Sequence, residues 1–237
     1  MEAVLLEPPP TTREHHGEET SLLRRVLQDR STLLDEIACG EKPQVLKVAL
    51  ASFALTALGG LGLGAAHGPL QAVASAVKLP LINLGALLIC LPTFYIFAAL
   101  QGSRLGLDKI LRMFAVGLGL RGAVLAGLAP LLIFFSSVGS PYGFVLLAGG
   151  LAFGMAEIGF TKTLDAGIGI YKQRTKDPVG LALVRGWMFL YMLVAMQLTW
   201  SLRPVIGEPG TPFALITVQD EGNMIVYFVK HVMALVR

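Results

Sequence analysis

Hydrophobic positions along this chain gather into long runs rather than into alternating or strictly amphipathic patterns. A helix that crosses a bilayer needs about 20 mostly apolar residues. Five runs reach that length: residues 48–66, 79–100, 113–135, 142–160 and 179–200. The stretch 68–77 is apolar but short, and reads as a connector or a half-helix. Only helices satisfy every backbone N–H and C=O within one lipid-exposed segment without closing a barrel. The pattern therefore predicts an all-α integral membrane helical bundle of about five transmembrane helices.

The flanks carry weaker patterns. Residues 1–47 form a polar tail whose first 18 positions contain Pro and Glu and read as extended. Within the tail, residues 21–38 place Leu22, Leu23, Val26, Leu27, Leu33, Leu34 and Ile37 at helical spacing, with Arg24, Arg25, Gln28, Asp29 and Asp35 opposite. Thr20 or Ser21 suits the N-cap and Gly40 the stop. This amphipathic helix is expected either to dock on a partner, through Leu23, Leu27, Leu34 and Ile37, or to lie on the bilayer or on the chain's own loops. Residues 201–237 form the second tail. Its start is rich in turn formers, and residues 225–236 are apolar but too short to span, which predicts an interfacial helix.

Composition agrees with the pattern. The 237 residues are 54% hydrophobic and only 15% charged, against about 25% charged for a soluble domain. A soluble enzyme, a disordered protein and a nucleic-acid-binding domain are excluded as first readings. The net charge of +3 is small, so its distribution matters more. With residues 1–47 in the cytoplasm, the inner segments hold Arg13, Arg24, Arg25, Arg30, Lys42, Lys47, Arg104, Lys109, Arg112, Lys162, Lys172, Arg174 and Lys176. The outer segments hold only Lys78, Arg203, Lys230 and Arg237. Cytoplasmic loops carry the excess of Lys and Arg, so the N-terminus is expected inside and the C-terminal tail outside. Trp200 stands where an interfacial aromatic belongs. The first twenty residues contain no secretory signal pattern.

Three ionisable residues fall within the runs: Arg121, Glu157 and Arg185. Such residues are costly in lipid and often functional. Counted from the cytoplasmic ends of their runs, they lie at depths of roughly 12, 5 and 9 Å. One expectation is a buried Arg–Glu–Arg cluster that lines a cavity or locks three helices. The other is snorkelling to the headgroups, preferred for Arg185 and Glu157, whereas Arg121 is expected to have a partner. Gly117, Gly119 and Gly122 match a dinucleotide fingerprint by letters but lack its strand–turn–helix context. Gly60 with Gly64, Gly150 with Gly154, and Gly117 instead predict close helix packing, because small residues let backbones approach.

Catalytic chemistry finds no foothold. No nucleophile–base set, P-loop or H-E-x-x-H pattern is present, and the two cysteines, Cys39 and Cys90, have no metal spacing. No cofactor is expected. His67, at the outer end of the first run, would be the ligand if a haem or chlorin were bound, but a lone histidine there is an ordinary interfacial residue. Pro92 and Pro130 can kink their helices.

Two resemblances add to this reading. Residues 30–40, RSTLLDEIACG, followed by Val45-Leu46-Lys47-Val48, resemble an actin-binding WH2 motif, with its short amphipathic helix, Leu-Leu-x-x-Ile core and following Leu-Lys step. The resemblance implies actin binding. Here, however, Leu46-Lys47-Val48 runs directly into the first span, where the family's extended segment would lie along actin, so actin is not expected as a partner. The five-span layout, residues 200–207 (WSLRPVIG), and Leu128-Ala129-Pro130 with Phe134-Phe135 are similar to bacterial polytopic inner-membrane proteins of unassigned role, some labelled Yip1-like or WH2-containing. That likeness implies a multi-pass bacterial inner-membrane protein.

The resulting expectation is a non-catalytic subunit that anchors or scaffolds a larger bacterial membrane complex. The bilayer and other membrane subunits are its expected partners, and nucleic acid is not. Alternatives are a small transporter or channel working through Arg121, Glu157 and Arg185, and a Yip1-like membrane-organising protein.

Overall fold

The computed structural model describes residues 22–40, 45–65, 67–207 and 212–216, together with residues 226, 229 and 233. The described residues form seven helices. Two are short: α1 (Leu22–Gln28) and α2 (Arg30–Cys39). Five are long and apolar enough to cross a membrane: α3 (Val45–Gly64), α4 (Pro69–Leu100), α5 (Leu107–Ser137), α6 (Tyr142–Thr175) and α7 (Leu181–Ser201). The chain is an all-α membrane bundle. Most of the predicted 225–236 helix lies outside the described residues.

Successive long helices run antiparallel and close a ring in the order α3, α4, α7, α6, α5. The α3–α5 contact is the most extensive. Glycines set its closeness: a Cβ on Gly59 or Gly62 would strike Leu125 or Ala129 of α5 at 2.7 Å, and one on Gly122 would crowd Ser52 and Leu55 of α3 at 3.0 Å. Gly60 and Gly64 turn to α4, where a Cβ would collide with the backbone at Ser75–Ala76 and Gln71–Ala72. Gly117 gives way to the Phe160 ring. Gly154 does not pack as expected, since a Cβ there would meet nothing within 4 Å. In its place Gly149, beside the half-buried Gly150, admits the Leu63 side chain.

Helices α4 and α6 extend furthest beyond their apolar runs. Residues 68–77 are no connector, because Pro69 starts α4 and the helix continues through Pro80 and Pro92. Proline is at home in a first turn, and the stretch that follows is held against the α3 glycines. Helix α6 continues fifteen residues beyond Phe160 despite Lys162, Asp165 and Lys172. Phe160, Leu164, Ile168 and Tyr171 form a buried stripe at helical spacing. At 34 residues α6 is roughly 51 Å long, well beyond the hydrocarbon thickness.

The predicted 21–38 helix breaks at Asp29, whose φ of −129° and ψ of 37° leave the helical region. The break lets its two halves bury different surfaces. Val26 of α1 meets Gly119 of α5, while Leu34 of α2 reaches Gly167 of α6, against which Met113 of α5 also packs. Leu33, Leu34 and Ile37 are fully buried. Gly40 ends α2 at φ 93°, a left-handed value that glycine adopts without strain.

Candidate functional site

Arg121 stands near the middle of α5, Glu157 near the middle of α6, Asn83 of α4 and Tyr191 of α7. The ring brings these four positions together at mid-depth. Arg121 Nε lies 3.2 Å from Glu157 Oε2. Its Nη1 donates to Asn83 Oδ1 at 2.8 Å and to the Tyr191 hydroxyl at 3.3 Å. Three helices, α4, α6 and α7, thus contribute one polar side chain each to the single guanidinium that α5 carries. Arg121 is 5% exposed, so the pair sits where dielectric screening is weak. Glu157 Oε1 accepts no hydrogen bond among the described residues, leaving one carboxylate oxygen to carry the contact.

Aromatic rings pack beside the quartet. Trp187 lies edge-on to Phe94 and Phe114, at centroid distances of 5.1 and 4.9 Å, and donates its indole N–H to the Cys90 carbonyl at 2.7 Å. Tyr191 stacks on Trp187 at 5.8 Å. The tyrosine ring is thereby fixed while its hydroxyl serves Arg121.

Two expectations about these charges are corrected, the third member of the cluster and the snorkelling of Glu157. Arg185 takes no part in the cluster. It lies one turn into α7, is exposed, and pairs with Asp165 of α6 at 3.1 Å. Glu157 does not snorkel from a shallow depth, because α6 extends beyond Phe160 and puts Glu157 at its centre. Sequence reasoning missed Asn83, Tyr191 and Asp165. Asn83 was detectable as the single amide in an apolar run, and Asp165 was hidden by ending the fourth run too early. Tyr191 gave no signal, since aromatics are ordinary within spans.

The proposed docking residues are dispersed. Leu34 and Ile37 are buried within the chain's own bundle, so that face is already covered. Their helix is tied down by Arg174 to Asp35 at 2.7 Å, Arg25 to Glu36 at 2.5 Å, and Lys109 Nζ to the Ala38 carbonyl at 3.0 Å. Leu27 remains exposed, and the Leu23 side chain lies outside the described residues. His67 sits just past the end of α3 with its ring against Gly207, where no Cβ would fit. Among the described residues no group of three metal-ligating side chains occurs.

Loops at the two ends are fastened differently. At the end where α3 begins, Asp177 accepts the backbone N–H groups of Arg104 at 2.7 Å and Val179 at 3.0 Å. Burial pushes this carboxyl up, but the hydrogen bonds from Ser103, Arg104 and Val179, with the Arg104 charge, outweigh it and hold it below its ordinary value. At the opposite end, residues 204–206 lay three carbonyls against α4 and α6. Pro204 O accepts from Gln71 at 2.6 Å and from Lys78 at 2.9 Å, Val205 O from Ser75 at 2.5 Å, and Ile206 O from Tyr142 at 3.0 Å. Lys78, expected in an outer loop, is therefore a buried tie between α4 and the tail.

No protein-family model, curated protein or solved structure matches this chain.

Proposed function

We propose that the chain is a non-catalytic integral membrane subunit that anchors or scaffolds a larger membrane assembly. The observation that carries this reading is the quartet. Arg121, Glu157, Asn83 and Tyr191 join four helices through one guanidinium, so α4 to α7 share one fixed arrangement. Alternating access instead requires parts that rock against each other around a site. Apolar faces of α4 remain outward, including Leu88, Ile96, Phe97 and Leu100, and lie open to lipid or to neighbouring subunits. The excess of Lys and Arg on the side of residues 1–47 supports a cytoplasmic N-terminus. The Ala-, Gly- and Leu-rich composition and the Yip1-like layout support a bacterial inner membrane.

The test is purification of the tagged full chain from its native membrane in mild detergent, read by mass spectrometry and by an absorption spectrum. A stoichiometric set of partner proteins supports the reading. A clean, colourless homo-oligomer contradicts it. One observation favours a small transporter instead: Glu157 Oε1 is buried without a hydrogen-bond partner among the described residues, as a group awaiting a substrate donor would be. On that reading Arg121→Met abolishes uptake by the pure protein in vesicles; on the subunit reading the pure protein moves nothing.

A further inference from the structure

Helices α3 and α4 touch at the end where α3 finishes, through Gly60 and Gly64. Towards the end where α3 begins they part around a cavity of about 340 Å³. Its walls are residues 49–56 of α3, 80–87 of α4 and 111–118 of α5. The volume is within the range of small-molecule sites.

The lining has a definite chemistry. Its polar side chains are Ser52, Thr56 and Asn83. The Ser52 hydroxyl donates to Val48 O at 2.6 Å and lies 3.2 Å from Ala115 O, and Thr56 donates to Ser52 O at 2.8 Å. Asn83 gives its oxygen to Arg121. No lining residue is charged, and the remaining surface is apolar. The mouth is formed by Leu50, Phe53, Leu84 and Leu111, all exposed and all within spans. What adjoins that mouth is hydrocarbon, not water. Lys47 stands three residues before Leu50, one turn nearer the membrane surface on the same side of α3, and is exposed.

We propose that this cleft holds one acyl chain of an anionic glycerophospholipid from the leaflet on the side where α3 begins, with the lipid phosphate at Lys47. The cavity supplies what an acyl chain needs: apolar walls, an opening into the hydrocarbon, and no charge to desolvate. Lys47 supplies the selectivity, since a basic residue at the surface attracts anionic headgroups. The site goes beyond the anchoring role and stands whether or not other subunits are present.

The test uses the purified full chain in phosphatidylcholine vesicles containing a trace of phosphatidylglycerol with a photoreactive group in one acyl chain. Labelled peptides are mapped by mass spectrometry. Label is expected to concentrate in residues 49–56, 80–87 and 111–118, above the exposed α6 face at Leu151 and Met155. Leu84→Trp, which fills the mouth, brings that label down to the α6 level, while Met155→Trp leaves it unchanged. Lys47→Glu lowers labelling by the anionic probe about fivefold or more and spares a phosphatidylcholine probe. Even labelling of all spans would overturn the proposal, as would undiminished labelling of a folded Leu84→Trp chain. Equal labelling by both probes in the wild-type chain would overturn the phosphate assignment. If Leu84→Trp does not fold, Ala49→Phe at the exposed edge of the mouth replaces it, with the same two outcomes.

Discussion

Two arginine–carboxylate pairs tie α6 to its neighbours at almost the same distance. Arg121 meets Glu157 at 3.2 Å and Arg185 meets Asp165 at 3.1 Å. Their surroundings differ. The Arg121 side chain is 6% exposed and that of Arg185 is 66% exposed. The first pair has surrendered its hydration and depends on Glu157, Asn83 and Tyr191 together. The second keeps its access to the membrane surface. Equal geometry therefore does not mean equal worth: removing one partner of a buried pair strands a charge, whereas an exposed pair contributes little.

That contrast can be broken or sharpened by experiment. Glu157→Leu should have the largest effect, because it leaves the Arg121 guanidinium uncompensated at mid-depth. A loss of about 3 kcal/mol or more is expected, read as a lower thermal midpoint in detergent. Gly60→Val supplies an uncharged yardstick. Its new side chain collides with the α4 backbone at Ser75, and a loss of about 2 kcal/mol is expected, with α3 and α4 further apart by spin-label distances. Asp177→Ala removes the acceptor for two loop N–H groups and should cost about 1 kcal/mol.

Asp177 also gives a pH signature. Its folded-state pKa is depressed, so its contribution is complete at neutral pH, above the unfolded value. The contribution disappears as pH falls through the lower folded value. The stability difference between wild type and Asp177→Asn should therefore be full at pH 7 and shrink on acidification below the ordinary carboxylate range. Arg185→Ala should have the smallest effect, below about 1 kcal/mol and reduced further by added salt. A loss matching that of Glu157→Leu would erase the distinction between the two pairs.

Much of the fold was legible because hydrophobic run length is a strong signal in a membrane protein. Each of the five runs lies almost wholly within one long helix. Gly60, Gly64 and Gly117 were legible as packing residues for the same reason, since glycine inside a span costs propensity and is offset by close approach. Helix ends were not legible. Lys162 and Asp165 look like the start of a loop, but the stripe from Phe160 to Tyr171 is buried under α2 and α5, a tertiary effect invisible to a local pattern. That error moved Glu157 from the middle of α6 to its edge. Arg121 was recognisable as a residue in need of a partner, yet Asn83 and Tyr191 come from helices far away in sequence. The helix at residues 21–38 showed its apolar face clearly, but no local pattern distinguishes a face that awaits a partner from one covered by its own chain.

The account rests on the quartet being a fixed tie between helices. A double-mutant cycle on Arg121 and Glu157 tests this most directly, read by thermal unfolding in detergent. Each single change, Arg121→Met or Glu157→Leu, should destabilise strongly. The double variant, with apolar side chains of similar size at both positions, should return to within about 1 kcal/mol of wild type. A double variant no more stable than the worse single variant would contradict pairing, and with it the claim that these charges hold the bundle together.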